Sequence, residues 1–144
     1  MTGLEVRRAR PDELARCLAI RREVFVDEQG VPLEEEMDAH DAACTHFLAL
    51  AASEAVGTAR LRLTGDGRVK AERVAVRRPF RRAGVGRVLM QALEDEARAC
   101  GARELRLNAQ VAVVAFYERL GWRAEGPEFL EAGIPHRAMR KPLT

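Results

Sequence analysis

Arg81-Arg-Ala-Gly-Val-Gly86 is the stretch of this chain whose residue types carry the clearest chemistry. Gly84 and Gly86 stand at the start of a long amphipathic run, where the first backbone N–H groups of a helix have no partner inside it. Without side chains there, a ligand can approach the backbone. Those N–H groups, the positive end of the helix dipole and the guanidinium groups of Arg81, Arg82 and Arg87 together favour a phosphate or pyrophosphate. Ala83 and Val85 complete the turn. Two other phosphate loops are excluded. A Walker loop needs Lys-Ser or Lys-Thr after its last glycine, and Arg87-Val88 stands there instead. A dinucleotide fingerprint needs a third small residue where this chain has Leu89. The remaining alternative is an ordinary strand–turn–helix carrying a solvated arginine cluster.

Other reactive side chains are scattered. His46 and His136 are lone histidines, each readable as structural or as an acceptor-site residue. No His/Cys/Asp group has metal-ligand spacing, so no metal is expected. No Ser-His-Asp or Cys-His arrangement is legible, so no covalent intermediate on the protein is expected. Residues 27 to 41 hold Asp27, Glu28, Glu34, Glu35, Glu36, Asp38 and Asp41, broken by Gly30 and Pro32. This run reads either as a solvated charged loop or as a wall that attracts a cationic acceptor.

The elements that must position these groups follow from periodicity. Val69 to Val76 suits a strand that Pro79 ends. From Val85 the apolar residues Val85, Val88, Leu89, Ala92, Leu93, Ala97 and Cys100 recur at helical spacing, and Gly101 terminates the run. Upstream, Leu4 to Arg8 reads as a strand, and Pro11-Asp12 opens a helix with Leu14, Cys17, Leu18 and Val24-Phe25 on its buried side. Two strands come next, Thr45 to Ala52 and Ala55 to Thr64, with a tight turn at Ser53-Glu54. A hairpin turn at Thr64-Gly-Asp-Gly67 leads into Val69. Downstream come a strand at Glu104 to Ala109 and a helix at Val111 to Leu120, its Val113, Phe116, Tyr117 and Leu120 on one face. Closing strands at Trp122 to Glu125 and His136 to Lys141 are separated by a loop containing Gly126-Pro127 and Gly133. A run of antiparallel strands followed by strand–helix–strand–helix–strand implies a mixed α/β sheet with helices packed on it.

Composition bounds the function. At 144 residues, with 47% hydrophobic and 32% charged residues, a single soluble domain spanning 1–144 is expected. The net charge of +2 is too small to argue for nucleic acid, and the arginine run lacks interleaved aromatics. Cys17, Cys44 and Cys100 form neither a disulfide framework nor a metal pattern. Cys17 and Cys100 read as buried thiols on apolar helix faces. No export signal or membrane-length apolar run is present, which predicts a cytoplasmic protein.

Arg81-x-x-Gly-x-Gly86, with its strand before and helix after, resembles the acetyl-CoA pyrophosphate loop of the GNAT N-acyltransferase superfamily. The likeness extends along nearly the whole chain. Ala109-Gln-Val-Ala-Val-Val-Ala-Phe-Tyr-Glu-Arg-Leu-Gly-Trp122 is similar to the family's Asn-x-x-Ala-x-x-x-Tyr-x-x-x-Gly-Phe segment, with Gln110 at the usual Asn position and Val113 at the usual Ala position. Phe25-Val-Asp-Glu-Gln-Gly-Val-Pro32, continuing to Asp38, Asp41 and His46, and Phe129-Leu-Glu-Ala-Gly-Ile-Pro-His136, ending in Met139, resemble the ElaA-like branch. The resemblance implies a mixed, mostly antiparallel sheet flanked by helices, and transfer of an acetyl group from acetyl-CoA to a primary amine. It implies pantetheine pairing along Val74, Ala75 and Val76, with a strand bulge freeing an N–H at Val74 or its neighbour for the thioester carbonyl. It assigns the pyrophosphate to Arg81–Arg87 and further cofactor contacts to Gln110 and Phe116. Tyr117 falls where many members carry the general acid. Glu72 falls where several place a carboxylate acting through water, and His136 falls beside the acceptor. A small-molecule or protein amine is the expected partner, without nucleic acid or membrane, for a monomer or homodimer. A catalytically silent acyl-CoA-binding regulatory module is the competing reading.

Overall fold

The computed structural model describes residues 3–64 and 66–143. Among these residues seven strands form one sheet: β1 (Leu4–Arg8), β2 (Thr45–Ala51), β3 (Glu54–Leu63), β4 (Val69–Val76), β5 (Glu104–Gln110), β6 (Arg123–Glu131) and β7 (Ile134–Pro142). Their order is β1-β2-β3-β4-β5-β7-β6. All neighbours are antiparallel except β4 and β5, the mixed and mostly antiparallel sheet expected. Parallel neighbours need a crossover, and α3 (Val85–Ala99) supplies it.

Helices cover both faces. On one, α3 buries Val85, Leu89, Met90, Leu93 and Ala97 against Val56, Leu61, Val69, Leu105, Leu107 and Met139. On the other, α1 (Leu14–Arg21) buries Cys17 and Ile20, with Val24 beyond it, against Leu48, Leu50 and Ala75. A 3-10 turn at Pro11–Glu13 leads into α1, and a π-helical segment, Arg22–Glu28, extends it. Two short helices complete the set, α2 (Leu33–Glu36) and α4 (Val114–Arg119). Gly101 ends α3 as expected: its φ is +83°, and the N–H of Ala102 donates to Ala97 O at 3.0 Å. Among the described residues no helix is long and apolar enough to cross a membrane.

Four local expectations change. The turn between β2 and β3 is Ala52-Ser53, both at positive φ, one residue earlier than read. The expected loop at Gly126-Pro127 is instead part of β6, whose register against β7 shifts between Glu125 and Phe129; a bulge on this edge strand tolerates both residues. Cys17 is buried, but Cys100 is exposed, because α3 ends at Ala99 and turns it outward. Val113 is exposed, since residues 111–113 form a 3-10 turn ahead of α4. The hairpin turn read at Thr64–Gly67 includes Gly65, which lies outside the described residues.

The parallel pairing in the middle of the sheet is short. Val69 pairs with Leu105 and Lys70 with Arg106, and no further. β4 nevertheless runs on to Val76 and β5 to Gln110. Beyond the paired residues the two strands part, and the middle of the sheet opens.

Candidate active site

The turn before α3 has the shape an anion requires. Arg82 and Gly84 take left-handed φ values of +67° and +85°, and the N–H groups of the first turn of α3 lack helical partners. A β-carbon at Gly84 would meet nothing within 4 Å, so this side of the turn is open. Gly86 serves differently from the expectation. A β-carbon there would lie 3.1 Å from Phe116 Cζ, so its missing side chain seats the Phe116 ring. Val85 is buried in the core and offers only backbone, while Ala83 is half-buried. Arg82 and Arg87 are exposed. Arg81 folds back, donating from Nε to Val76 O at 2.8 Å and from Nη2 to Glu28 at 2.9 Å. It thereby braces the end of β4 against the turn. The open turn with two exposed arginines fits a pyrophosphate.

Where β4 and β5 part lies a cleft of about 600 Å³. Its walls are β4 from Lys70 to Val76, β5 from Leu107 to Gln110, the π-helical segment, the acidic loop, Tyr117 of α4 and the β6–β7 turn. Opposite β3, the register of β4 slips between Glu72 and Ala75, so Arg73 and Val74 together face Ala59. That is the expected bulge, and Arg73 adopts φ +56° within it. Tyr117 is buried and packs edge-on against Phe116 at 5.0 Å and Trp122 at 5.9 Å. Burial alone pushes its phenol above its ordinary pKa, so it remains a proton donor.

The other expected groups differ in their freedom. Glu72 lines the cleft, but Arg60 Nη2 donates to it at 2.8 Å and Arg62 Nε at 2.9 Å. Burial pushes its carboxyl pKa up, and the hydrogen bonds from Arg62 and Arg60 outweigh that and hold it below the usual range. It is an arginine-clamped anion rather than a free base. His136 is buried in the cleft wall and stacked on Phe129. Its Nδ1 lies 2.7 Å from Ile134 O. A carbonyl only accepts, so Nδ1 carries the proton and Nε2 of the neutral ring is left with its lone pair. His46, the other candidate, lies on β2 outside the cleft and donates from Nε2 to Asp41 O at 2.9 Å. Gln110 reaches the cleft and donates from Nε2 to Gln29 Oε1 at 2.8 Å, joining β5 to the end of the π-helical segment.

Sequence reasoning missed two groups, Glu131 and Asn108. Glu131 sits at the tip of β6, 3.7 Å from His136 Nε2, and accepts from Asn108 Nδ2 at 3.3 Å. Their only signal was alternation: Asn108 and Gln110 share a face of β5, and Gln110 pairs in register with His136.

The acidic run divides: Asp27, Glu34 and Glu35 are exposed, while Glu28, Glu36, Asp38 and Asp41 are held by arginines. Buried Arg21 bonds Glu36 at 2.5 Å and Asp41 at 2.7 Å. Buried Arg60 bonds Asp38 at 2.7 Å and Asp41 at 2.8 Å. Hydrogen bonding from Arg60 holds the Asp38 carboxyl well below the usual carboxylate range. Burial pushes Asp41 up, but its bonds to Arg21 and Arg60 bring it below that range too. At the cleft wall each cation touches a carboxylate: Arg62 and Lys70 share Glu72 with Arg60, Arg73 shares Asp38 with Arg60, and Arg81 has Glu28. Glu131 instead faces a histidine and an amide.

Residues 8–143 match the profile of an acetyltransferase (GNAT) domain family. The uncharacterized N-acetyltransferase YjcF of Bacillus subtilis is 43% identical over 131 residues, 90% of this chain and 93% of that protein. An acyl-CoA N-acyltransferase from Pseudomonas aeruginosa superposes with a TM-score of 0.81 at 31% identity, covering 96% of this chain and 97% of that one. Escherichia coli ElaA superposes with a TM-score of 0.83 at 28% identity, covering 96% of this chain and 99% of the other.

Proposed function

The chain belongs to the GNAT acetyltransferase family, and from that premise we propose that it moves an acetyl group from acetyl-CoA to a primary amine by direct attack on the thioester. The observation that carries this reading is the cleft where β4 and β5 part, with Tyr117 in its wall and the open Gly84 turn joined to the end of β4 through Arg81. In this reading the turn from Arg81 to Arg87 binds the pyrophosphate, chiefly through backbone N–H groups, Arg82 and Arg87. Val74, Ala75 and Val76 pair with pantetheine as an added strand would. Phe116 and Gln110 flank it. The bulge at Arg73-Val74 donates an N–H to the carbonyl oxygen as it gains charge.

The amine must lose a proton before it attacks. In this reading His136 Nε2 takes that proton, and Glu131 beside it stabilises the imidazolium that results. Glu72 supports the network rather than taking this proton, because its lone pairs are committed to arginines. Tyr117 donates to the departing thiolate. The negative charges of Glu131 and exposed Glu35 at the cleft, neither of them paired with an arginine or lysine among the described residues, favour an acceptor with positive charge.

A panel of amines assayed with acetyl-CoA for free thiol tests the reading. Acetyl-CoA-dependent thiol release with a cationic primary amine, and an acetylated product by mass spectrometry, is the expected result. Tight acetyl-CoA binding with no release for any amine would leave the silent binding module as the better account.

A further inference from the structure

Arg73 combines two features that neither the fold nor acetyl transfer alone requires. It occupies the β4 bulge at φ +56°, a conformation that opposes a β-carbon. Glycine would take it freely, yet arginine stands there. Its guanidinium is also fixed on the acidic loop, half-buried under it. Nη2 donates to Glu36 O at 3.1 Å and to Asp38 Oδ2 at 3.2 Å, and Nε lies 3.4 Å from Glu36 Oε1. The loop it grips is not a soft surface segment, because Arg21 and Arg60, both fully buried, hold Glu36, Asp38 and Asp41 from beneath.

We propose that Arg73 is a positioning residue for acetyl transfer: its guanidinium, anchored on the acceptor-side loop, holds the β4 bulge in the conformation that aims its backbone donor at the thioester carbonyl. The inference rests on the N-acetyltransferase reading and deepens it. A bulge is a local distortion that the ladder on either side does not by itself fix. Here the side chain of the distorted residue supplies the missing constraint, and takes its reference from the wall against which the amine binds. Acyl and acceptor halves of the site are thereby set relative to each other through one residue. A plain structural ion pair would stabilise the loop without affecting the carbonyl.

The test uses Arg73→Ala, Arg73→Gly and Arg73→Lys with acetyl-CoA labelled with carbon-13 at the carbonyl. The carbon resonance of bound acetyl-CoA reads polarisation directly, without turnover. In the unsubstituted protein it should lie downfield of free acetyl-CoA, and in the alanine and glycine variants it should move back toward the free value. At saturating substrates kcat should fall at least tenfold in both, acetyl-CoA KM should change less than about threefold, and lysine should restore part of kcat. Glycine removes the φ constraint while keeping the bulge accessible, so its loss of kcat isolates the guanidinium. A downfield resonance retained in both variants, with kcat within twofold of the original, would overturn the proposal whatever happens to the melting temperature. Failure of the transferase reading itself looks different: no thiol release from the unsubstituted protein with any amine.

Discussion

Tyr117 is the only tyrosine in the chain, so the state of its phenol is open to direct measurement. Its ring lies against Phe116 and Trp122, and burial raises its pKa above the ordinary value of about 10. The folded protein should therefore show no phenolate absorbance near 295 nm as the pH is taken through 10, while the same titration in denaturant should show an ordinary midpoint. The folded state keeps its proton where the unfolded state loses it, so Tyr117 contributes stability below pH 10 and withdraws it above. Each pH unit beyond that midpoint costs up to about 1.4 kcal/mol, until the folded pKa is reached. Tyr117→Phe should abolish that loss while changing neutral-pH stability by no more than about 1 kcal/mol, since only the hydroxyl is removed. As general acid the hydroxyl matters at thiolate departure, so the same variant should lose roughly 10²–10⁴-fold in kcat with acetyl-CoA affinity retained. The alkaline limb of the rate profile should lie above pH 10. A reversible phenolate signal near pH 10 in the folded protein would show the environment to be solvated and refute the burial argument. Near-original kcat in the phenylalanine variant would refute the acid, leaving the thiolate to depart and be protonated by solvent.

Gly84→Asp should abolish the rise in melting temperature that excess acetyl-CoA produces, because a carboxylate enters the open side of the turn; a retained rise removes the pyrophosphate from this turn. Glu131→Gln should raise KM for a cationic amine about fivefold, the equivalent of roughly 1 kcal/mol for an ion pair at about 4 Å in a water-like setting, which suits a side chain 48% exposed. Equal KM values for every cationic amine would contradict this. Arg21→Ala should destabilise by roughly 3–5 kcal/mol in chemical denaturation, because it leaves buried Glu36 without its close partner and Asp41 with Arg60 alone; a loss near zero would mean the loop is held otherwise. The depressed carboxyls of Asp38, Asp41 and Glu72 contribute stability above the ordinary carboxylate range that is lost as pH falls through and below 4. Denaturation midpoints measured between pH 6 and 2 should fall accordingly, and a flat profile would argue against the network.

What the sequence disclosed and what it hid divide along the range of the interaction. The phosphate turn was legible because its determinants are contiguous: two glycines, the arginines and the periodic run after them. The apolar strand-and-helix pattern was legible for the same reason. The acidic run was not, because its neutralising partners Arg21, Arg60 and Arg73 come from α1, β3 and β4, and each reads alone as an ordinary charged residue. Charge reversal at Glu28 or Asp38 looked from sequence like a probe of acceptor binding. In the fold those carboxylates belong to Arg81 and Arg60, so reversal would first disrupt structure. Glu72 shows the same dependence on range. The resemblance gave it a carboxylate's role acting through water, and only the register against β3 brings Arg60 opposite it.

The buried charges also bear on why the cleft is selective. Five cations and four carboxylates, Arg21, Arg60, Arg62, Lys70 and Arg73 with Glu36, Asp38, Asp41 and Glu72, are bound to one another. Such a set is a poor source of stability, because desolvation offsets most of the attraction. Its effect is geometric and electrostatic. It fixes a loop without an apolar core of its own against the sheet, and it withdraws Glu36, Asp38 and Asp41 from contact with a ligand. The negative charge left at the cleft then comes from what the network does not neutralise, exposed Glu35 and Glu131 beside His136. The buried part of the acidic segment thus supplies the wall, while the carboxylates outside the network set the sign of the acceptor.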